Sequence, residues 1–429
     1  MMPTVVIGVI LLSLSLAGVP LFSIIAAVAL LAFSAAGIDT ATLIGEMLRI
    51  GDFPALIAIP LFTFTGYVLA ESQAPRRLIS LVQAACGWVP GGMAVVALIG
   101  TAVFTAFTGA SGVTIIALGG LLYPSLIGAG YPERFSLGLV TTSGSLGLLF
   151  PPSLPIILYS LVAKVSIGEL FLGGIVPGIL MLIVLTVYSI MVGRHASIER
   201  TPFSWRILGT AAKESIGEIP LPVIVIGGIY SGLFTATEAA TISAVYVLIV
   251  EVFVRRELSP TRDLPRVIRE SMMLVGAILV MLGCAAGLTN YLVDQEIPQA
   301  IFSFTSQHIG NKYFFLIILN VLLLAVNMLE VFSAIIIIVP IIVPIAIGYG
   351  MDPVHLGIMF LLNLEIGYMI PPLALNIFLS SLRFRKTLPE VYRAVTPFLV
   401  LLLILLALVT YVPELSLVLR AVTGIGMQK

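Results

Sequence analysis

The residue types best suited to ion chemistry surround two Pro-Pro pairs, each inside a long apolar stretch. The pairs occur in SGSLGLLFPPSLPIILYS at 143–160 and in NLEIGYMIPPLALNIFLS at 363–380. Consecutive prolines remove two amide donors and collide with the preceding turn, so a helix should unwind at each pair. The freed carbonyl oxygens could coordinate a small cation together with nearby polar side chains, which are those of Ser143, Ser145, Ser153, Asn363, Glu365 and Asn376. A structural proline kink is the alternative.

Three glutamates occur within apolar segments, where an ionisable group is costly unless it is paired or hydrated. Glu330 lies in a polar turn, Glu365 lies before the second Pro-Pro pair, and Glu238 lies in the stretch TATEAA. A carboxylate in such a place is a natural ligand or counter-ion for a cation. The alternative for each is a structural acid that is hydrogen-bonded at a helix break.

The motifs of common enzyme classes are absent from the sequence, which has no Gly-Lys-Ser/Thr phosphate loop, His-Glu-x-x-His or Gly-x-Ser-x-Gly. We therefore predict that the chain is not an enzyme and that energy comes from an ion gradient or a separate motor subunit. A membrane-embedded enzyme or assembly factor that uses the glutamates is one alternative. A stand-alone symporter is another.

The composition indicates that these residues lie on membrane-spanning helices. Of 429 residues, 59% are hydrophobic and 10% are charged, where soluble domains carry about 25% charged residues. The mean hydropathy is +1.17, and apolar stretches recur from Thr4 to Leu419 without the alternation of a membrane β-strand. We predict an all-α integral membrane protein that is surrounded by lipid. The net charge is zero, so nucleic acid is not a predicted partner.

The chain repeats itself at an offset of 220 residues. Besides the Pro-Pro pairs, this offset aligns Pro124 with Pro344 and Gly128 with Gly348. Basic residues keep short loops in the cytoplasm, and the loops richest in them are 194–220, 255–269 and 383–393. The counterpart of the second loop, 37–52, instead carries one arginine against three acidic residues. The two repeats should therefore be inverted in the membrane.

These patterns predict two homologous halves joined by a cytoplasmic linker at 194–220. The first half, 1–193, is expected to contain a scaffold at 4–75, an interfacial arm at 76–90, a hairpin and broken helix of a transport domain at 91–163, and a closing helix at 169–193. The second half, 221–429, repeats this order with a scaffold at 221–295, an arm at 296–312, a hairpin and broken helix at 313–382, and a closing helix at 397–419.

The hairpins are expected to be re-entrant, with tips buried inside the membrane. The first tip is the small, polar stretch 107–112, and its counterpart is 327–333. Two full spans are the alternative for 91–130.

Three stretches resemble the large membrane subunit of the tripartite ATP-independent periplasmic (TRAP) transporters. They are SGSLGLLFPPSLPIILY at 143–159, SGLFTATEAATISAVY at 231–246 and IIIIVPIIVPI at 335–345. The family usually has proline where Ala236 stands. Within the family, 143–159 is most similar to the sialic acid transporters.

The resemblance implies an elevator-type carrier of the bacterial inner membrane that couples uptake of an organic anion to sodium, with no organic cofactor. Sialic acid is the expected substrate, and a four-carbon dicarboxylate or another sugar acid is the alternative. The implied partners are a small four-helix membrane subunit and a soluble periplasmic substrate-binding protein.

The resemblance also implies two sodium sites with substrate between them. The predicted ligands of the first site are Thr108, Gly109, Ser111, Ser145, Gly147 and Pro151. Those of the second site are Asn327, Glu330, Ser333, Gly367 and Pro371. The predicted substrate residues are Ser143, Ser153, Glu238 and Asn376.

Overall fold

Helices make up almost all of the chain that the structure describes. The computed structural model describes residues 13–14, 19–89, 91–195, 203–326, 331–370 and 374–423. Across these ranges the backbone forms α-helices with short 3-10 and π-helical turns, and no strand occurs in them. Six of the described helices are long and apolar enough to cross a membrane, or up to eight if each of two bent pairs is one span. The predicted all-α membrane fold is confirmed.

The described helices of the first half are α1 (Leu21–Ala36), α2 (Ala41–Arg49), α3 (Ala58–Glu71), α4 (Ala74–Cys86), α5 (Gly92–Thr108), α6 (Ser111–Ala117), α7 (Gly119–Gly128), α8 (Glu133–Ser143), α9 (Leu154–Ala163) and α10 (Ile167–His195). A 3-10 turn, Pro54–Ile57, leads into α3, and another, Leu146–Leu149, follows α8. Most of the predicted scaffold before Val19, which was expected to begin at residue 4, lies outside the described residues.

The linker contains α11 (Trp205–Glu214). The second half contains α12 (Pro220–Tyr230), α13 (Ala236–Val254), α14 (Asp263–Asp294), α15 (Ile297–His308), α16 (Lys312–Val326), α17 (Val331–Gly348), α18 (Pro353–Gly367), α19 (Leu375–Phe384), α20 (Leu388–Tyr411) and α21 (Glu414–Thr423).

The two halves repeat in both position and packing. Helix α5 begins at Gly92 and α16 at Lys312, while α8 begins at Glu133 and α18 at Pro353, each pair 220 residues apart. Helix α9 packs on α17 as α19 packs on α6, and α3 packs on α13 as α14 packs on α1. This exchange of partners is what a two-fold relation between the halves produces. The predicted structural repeats are therefore present, and the placement of the basic loops makes them inverted.

Helices α5 and α6 form the predicted hairpin. The turn between them is tight because Gly109 adopts a left-handed conformation with φ of 65°. Thr108 and Ser111 at the tip are buried. A Cβ on Gly109 would lie 2.6 Å from a side-chain carbon of Leu154, so the tip touches the start of α9. Because α9 is the second part of a broken crossing, a tip at this level lies inside the membrane.

Helices α8 and α9 are the two parts of that crossing, and their axes bend by 43°. The irregular backbone between them, Gly144–Ser153, is called the first loop below and contains the first Pro-Pro pair. The prolines cannot continue the hydrogen-bond ladder of α8, which is the predicted cause of the break.

Some helix bounds differ from the predicted ones. Helix α20 begins at Leu388, well before the predicted 397, because Thr387 and Glu390 form a capping box that starts the helix in a polar segment. It ends at Tyr411, and Pro413 separates it from α21. The apolar run at 397–419 therefore covers the end of α20 and part of α21. The arms α4 and α15 are also shorter than the predicted interfacial segments.

Candidate functional site

Thr105 connects the tip of the first hairpin to the first loop. It lies on α5, one turn before the tip, and is fully buried. Its Oγ1 lies 2.7 Å from Oγ1 of Thr114 on α6 and donates a hydrogen bond of 2.9 Å to the carbonyl oxygen of Gly144. One hydroxyl thereby links both helices of the hairpin to the break in the next crossing.

The first loop runs so close to α5 that only glycine fits at position 147. A Cβ on Gly147 would lie 2.4 Å from the carbonyl oxygen of Ala102 and 2.4 Å from the amide nitrogen of Ala106. Both are backbone atoms of a helix and cannot move aside independently. The structure therefore places the predicted sodium ligand Gly147 directly against the hairpin, and Pro151, further along the loop, is buried.

Asn376 brings the second half of the chain into contact with the first loop. It lies near the start of α19 and is fully buried. Its Nδ2 donates to the carbonyl oxygen of Thr141 at 3.2 Å and to Oγ of Ser145 at 3.4 Å. The predicted sodium ligand Ser145 and the predicted substrate residue Asn376 are thus direct neighbours.

Several buried oxygen atoms on the tip, on the first loop and on the neighbouring ends of α8 and α19 have no hydrogen-bond partner among the described residues. They are Oγ1 of Thr108 and Thr142, Oγ of Ser111 and Ser153, and Oδ1 of Asn376. Buried polar atoms in proteins are nearly always paired, so an unpaired group needs an explanation. Hydroxyl and amide oxygens beside an unwound helix are suitable ligands for a sodium ion. We call this group of residues the first oxygen cluster.

Ser143 lies beside Thr142 at the end of α8 but is not a member of this cluster, because its hydroxyl has a hydrogen-bond partner. Its Oγ donates to the carbonyl oxygen of Val140 at 3.4 Å within the same helix. Its side chain is fully buried, so its predicted contact with substrate requires a change of conformation or of rotamer.

The second broken crossing carries different polar groups. Asn363 on α18 donates to Oδ1 of Asn320 on α16 at 2.7 Å, and Asn320 donates to Oγ1 of Thr410 on α20 at 3.1 Å. Glu365, in the last turn of α18, is fully buried, and neither carboxylate oxygen has a hydrogen-bond partner in the described part of the chain.

Two of the predicted ligands of the second sodium site are placed by the structure. Ser333, near the start of α17, and Gly367, the last residue of α18, are both buried. The other three, Asn327, Glu330 and Pro371, lie outside the described residues.

Glu238 lies on scaffold helix α13 and not in the first oxygen cluster. Its carboxylate accepts hydrogen bonds from the amide of Thr235 at 2.8 Å and from its hydroxyl at 2.9 Å, which completes a capping box. These contacts match the alternative prediction, in which Glu238 is a structural acid at a helix break. They do not support its predicted role in binding substrate.

A cavity of about 100 Å³ lies where α2 and α14 of the predicted scaffold meet α9 and α17 of the predicted transport domain. Arg49 and Lys164 line it, together with Glu46. Glu46 accepts from Arg49 at 3.1 Å and from Asn290 at 2.6 Å, whereas Lys164 forms no ion pair within the described ranges. The wall of the cavity therefore carries an excess positive charge.

Three residues of these sites were not predicted from the sequence: Thr105, Thr142 and Lys164. Thr105 precedes Thr108 by one helical turn, so the spacing placed both on one face of α5 and could have identified it. Lys164 follows the last residue of α9 and has a left-handed backbone, which the sequence does not reveal.

Comparison with known proteins gives consistent results over most of the chain. The family model described as "Tripartite ATP-independent periplasmic transporter, DctM component" matches residues 7–415. The C4-dicarboxylate TRAP transporter large permease protein DctM of Pseudomonas aeruginosa is 36% identical over 376 residues, which are 87% of this chain and 88% of that protein. The sialic acid TRAP transporter large permease protein SiaM of Vibrio cholerae is 32% identical over 413 residues, 95% of this chain and 96% of that protein.

Among solved structures, the YdaH transporter of Alcanivorax borkumensis is similar in fold. The match has a TM-score of 0.60 and covers 87% of both chains at 14% sequence identity. At this identity the likeness concerns the fold alone.

Proposed function

We propose that this chain, which belongs to the DctM component family of TRAP transporters, drives sodium-coupled uptake of an organic anion. Membership makes it the large permease of such a transporter, and its apolar helices make it a multi-pass protein of the bacterial inner membrane. The observation that carries the sodium proposal is the first oxygen cluster, whose buried oxygens are unpaired. Sodium would be held there by oxygens that the broken helix leaves free.

The packing supports a mechanism in which one part of the molecule moves against another. The hairpins and broken helices contact each other across the two halves, as α9 with α17 and α19 with α6. Helices α1, α3, α13 and α14 pack together as a scaffold. We infer that the first group moves as one body against the scaffold and carries sodium and substrate between the two faces of the membrane.

The proposed substrate class is an organic anion. The positive wall of the cavity between scaffold and transport domain supports this choice, because Arg49 and Lys164 would attract a carboxylate. Relatives at comparable identity are named for C4-dicarboxylates and for sialic acid. Sialic acid, the predicted substrate, therefore has no more support than the alternative, a four-carbon dicarboxylate.

The family is tripartite, so we propose two partners for this chain. One is a small membrane subunit of four helices, and the other is a soluble periplasmic protein that delivers the substrate. The soluble partner would determine much of the selectivity, since it binds the anion first.

The test is uptake by proteoliposomes reconstituted with the chain and its small membrane subunit, with the soluble substrate-binding protein added outside. Labelled N-acetylneuraminate and labelled succinate are offered separately under an inward sodium gradient. We expect one of them to accumulate only when the gradient and both partners are present.

Omitting sodium and omitting the binding protein test different parts of the proposal. Uptake that persists when potassium replaces sodium would contradict sodium coupling. Uptake without the binding protein would support the stand-alone symporter instead.

A further inference from the structure

Glu365 is a buried acid that neither the fold nor the first oxygen cluster explains. Its side chain has no exposed surface, and both carboxylate oxygens lack a hydrogen-bond partner among the described residues. Buried charged groups in proteins are paired or bind metal ions, because removing a charge from water is costly. Glu365 also occupies the last turn of α18, where the negative end of the helix dipole adds to the cost of a carboxylate.

Among the residues that the structure describes, no basic side chain pairs with Glu365. The cations on the helices that pack on α18 are Arg194 of α10, Lys312 of α16, Arg393 of α20 and Arg420 of α21. Arg194 and Arg393 are exposed, whereas Glu365 is fully buried. Lys312 donates to the carbonyl oxygen of Gly350, and Arg420 pairs with Asp352. Both contacts are at the start of α18, roughly 20 Å from Glu365 at 1.5 Å per helical residue. Within the described ranges, only a mobile cation could approach this carboxylate.

The internal repeat assigns a counterpart to Glu365. The offset of 220 residues, which relates the starts of α8 and α18, pairs Glu365 with Ser145. Ser145 lies in the first loop two residues before Gly147, just as Glu365 lies two residues before Gly367. Both side chains are fully buried beside the unwound part of a broken crossing.

We propose that Glu365 binds a sodium ion at the end of α18, beside the predicted ligand Gly367, where it occupies the place of Ser145 in the repeat and supplies negative charge to this second site. This inference rests on the proposed sodium coupling. It assigns an asymmetry to the two sites, because the hydroxyl of Ser145 is neutral and the carboxylate of Glu365 carries a full charge. The second site should therefore bind sodium more tightly, since a buried carboxylate attracts a cation more strongly than a hydroxyl does.

The test compares wild type with Glu365→Gln, which keeps the size of the side chain and removes the charge. Two quantities are measured: binding of radioactive ²²Na⁺ to the detergent-solubilised chain, and the rise in unfolding temperature when sodium replaces potassium. We expect the sodium concentration for half-saturation to increase roughly tenfold or more, because a contact with a charged group is lost. The unfolding temperature in potassium should stay near that of wild type.

The matched control is Glu414→Gln, which removes an exposed acid at the start of α21. It should bind sodium as wild type does. If Glu365→Gln also binds sodium as wild type does, Glu365 is a neutral structural acid and the proposal is wrong.

A second variant covers the case in which Glu365→Gln does not fold. Glu365→Asp keeps the charge but withdraws it by one methylene group, so the sodium concentration for half-saturation should increase. An unchanged sodium curve for a folded Glu365→Asp protein would overturn the proposal. A wild-type protein that shows no sodium response in either measurement would instead refute sodium coupling itself.

Discussion

Thr105 illustrates how a single side chain can hold a re-entrant hairpin in place. Its hydroxyl contacts Thr114 and the carbonyl oxygen of Gly144, so it joins α5 to the short helix α6 and to the irregular first loop. All three groups are away from water, where an unsatisfied polar atom costs about 1–3 kcal/mol. The position of the first oxygen cluster therefore depends on this hydroxyl.

We predict that Thr105→Val lowers stability by about 1–3 kcal/mol and strongly reduces uptake. Valine keeps the shape of threonine but leaves Thr114 and Gly144 without this partner. The measurements are thermal unfolding and initial uptake rate. Thr101→Val is the control, because Thr101 is buried on the same helix but bonds only to carbonyl oxygens of Ala97 and Leu98 within it. Equal effects of the two substitutions would show that the bridge has no special role.

At the scale of residues, the sequence could predict the types of ligand but not their contacts. Ser145 was recognisable because it lies near a Pro-Pro pair. Its contact with Asn376 spans 231 positions and depends on how the two halves pack. No local pattern contains that information.

At the scale of elements, the arm α4 is fixed to the linker and scaffold by a cluster of charges around Arg77. The buried guanidinium pairs with three carboxylates, which are those of Glu218, Glu251 and Glu257. Burial alone would raise the pKa of Glu257. Hydrogen bonds from the Gln73 amide and from Arg77, with the charge of Arg77, outweigh burial and hold that pKa below its ordinary value. The arm is therefore anchored at one end.

We predict that Arg77→Met destabilises the protein by about 3–5 kcal/mol, because it leaves buried carboxylates without their main partner. The loss should appear as a lower unfolding temperature. The neighbouring Arg76 is exposed, so Arg76→Met serves as the control and should change stability little. A small effect at Arg77, matching that at Arg76, would contradict an anchoring role for the cluster.

Elements were predictable from the sequence where apolar runs and prolines define them. The broken crossing at α8 and α9 follows from Pro151 and Pro152. The start of α20 was missed because Thr387 and Glu390 begin that helix in a polar segment, before the apolar run. Hydropathy detects the part of a helix that lies in lipid, whereas caps decide where the helix begins.

At the scale of the whole molecule, the two repeats exchange partners across the transport domain. Two pairs of contacts are reciprocal: α9 packs on α17 as α19 packs on α6, and α3 packs on α13 as α14 packs on α1. The sequence predicted the repeat from prolines and glycines. The reciprocal packing needed the structure, since apolar residues specify burial but not which helix covers them.

The orientation of the whole chain depends on the linker that carries α11. The basic residues in this linker predict that it lies in the cytoplasm. We predict that Ser204→Cys, in a background without Cys86 and Cys284, is labelled by an impermeant thiol reagent only from the cytoplasmic face. Labelling from the periplasmic face would show that both repeats have the opposite orientation in the membrane.

The most direct test of sodium binding at the first oxygen cluster is the initial rate of uptake as a function of sodium concentration for Ser145→Ala, because Ser145 contacts Asn376 of that cluster. The control is Ser125→Ala, because Ser125 donates only to the carbonyl oxygen of Leu121 within its own helix. We predict that Ser145→Ala raises the half-maximal sodium concentration roughly tenfold, while Ser125→Ala follows wild type. If the Ser145→Ala curve coincides with that of wild type, the ion is bound elsewhere and the broken crossing has a structural role alone.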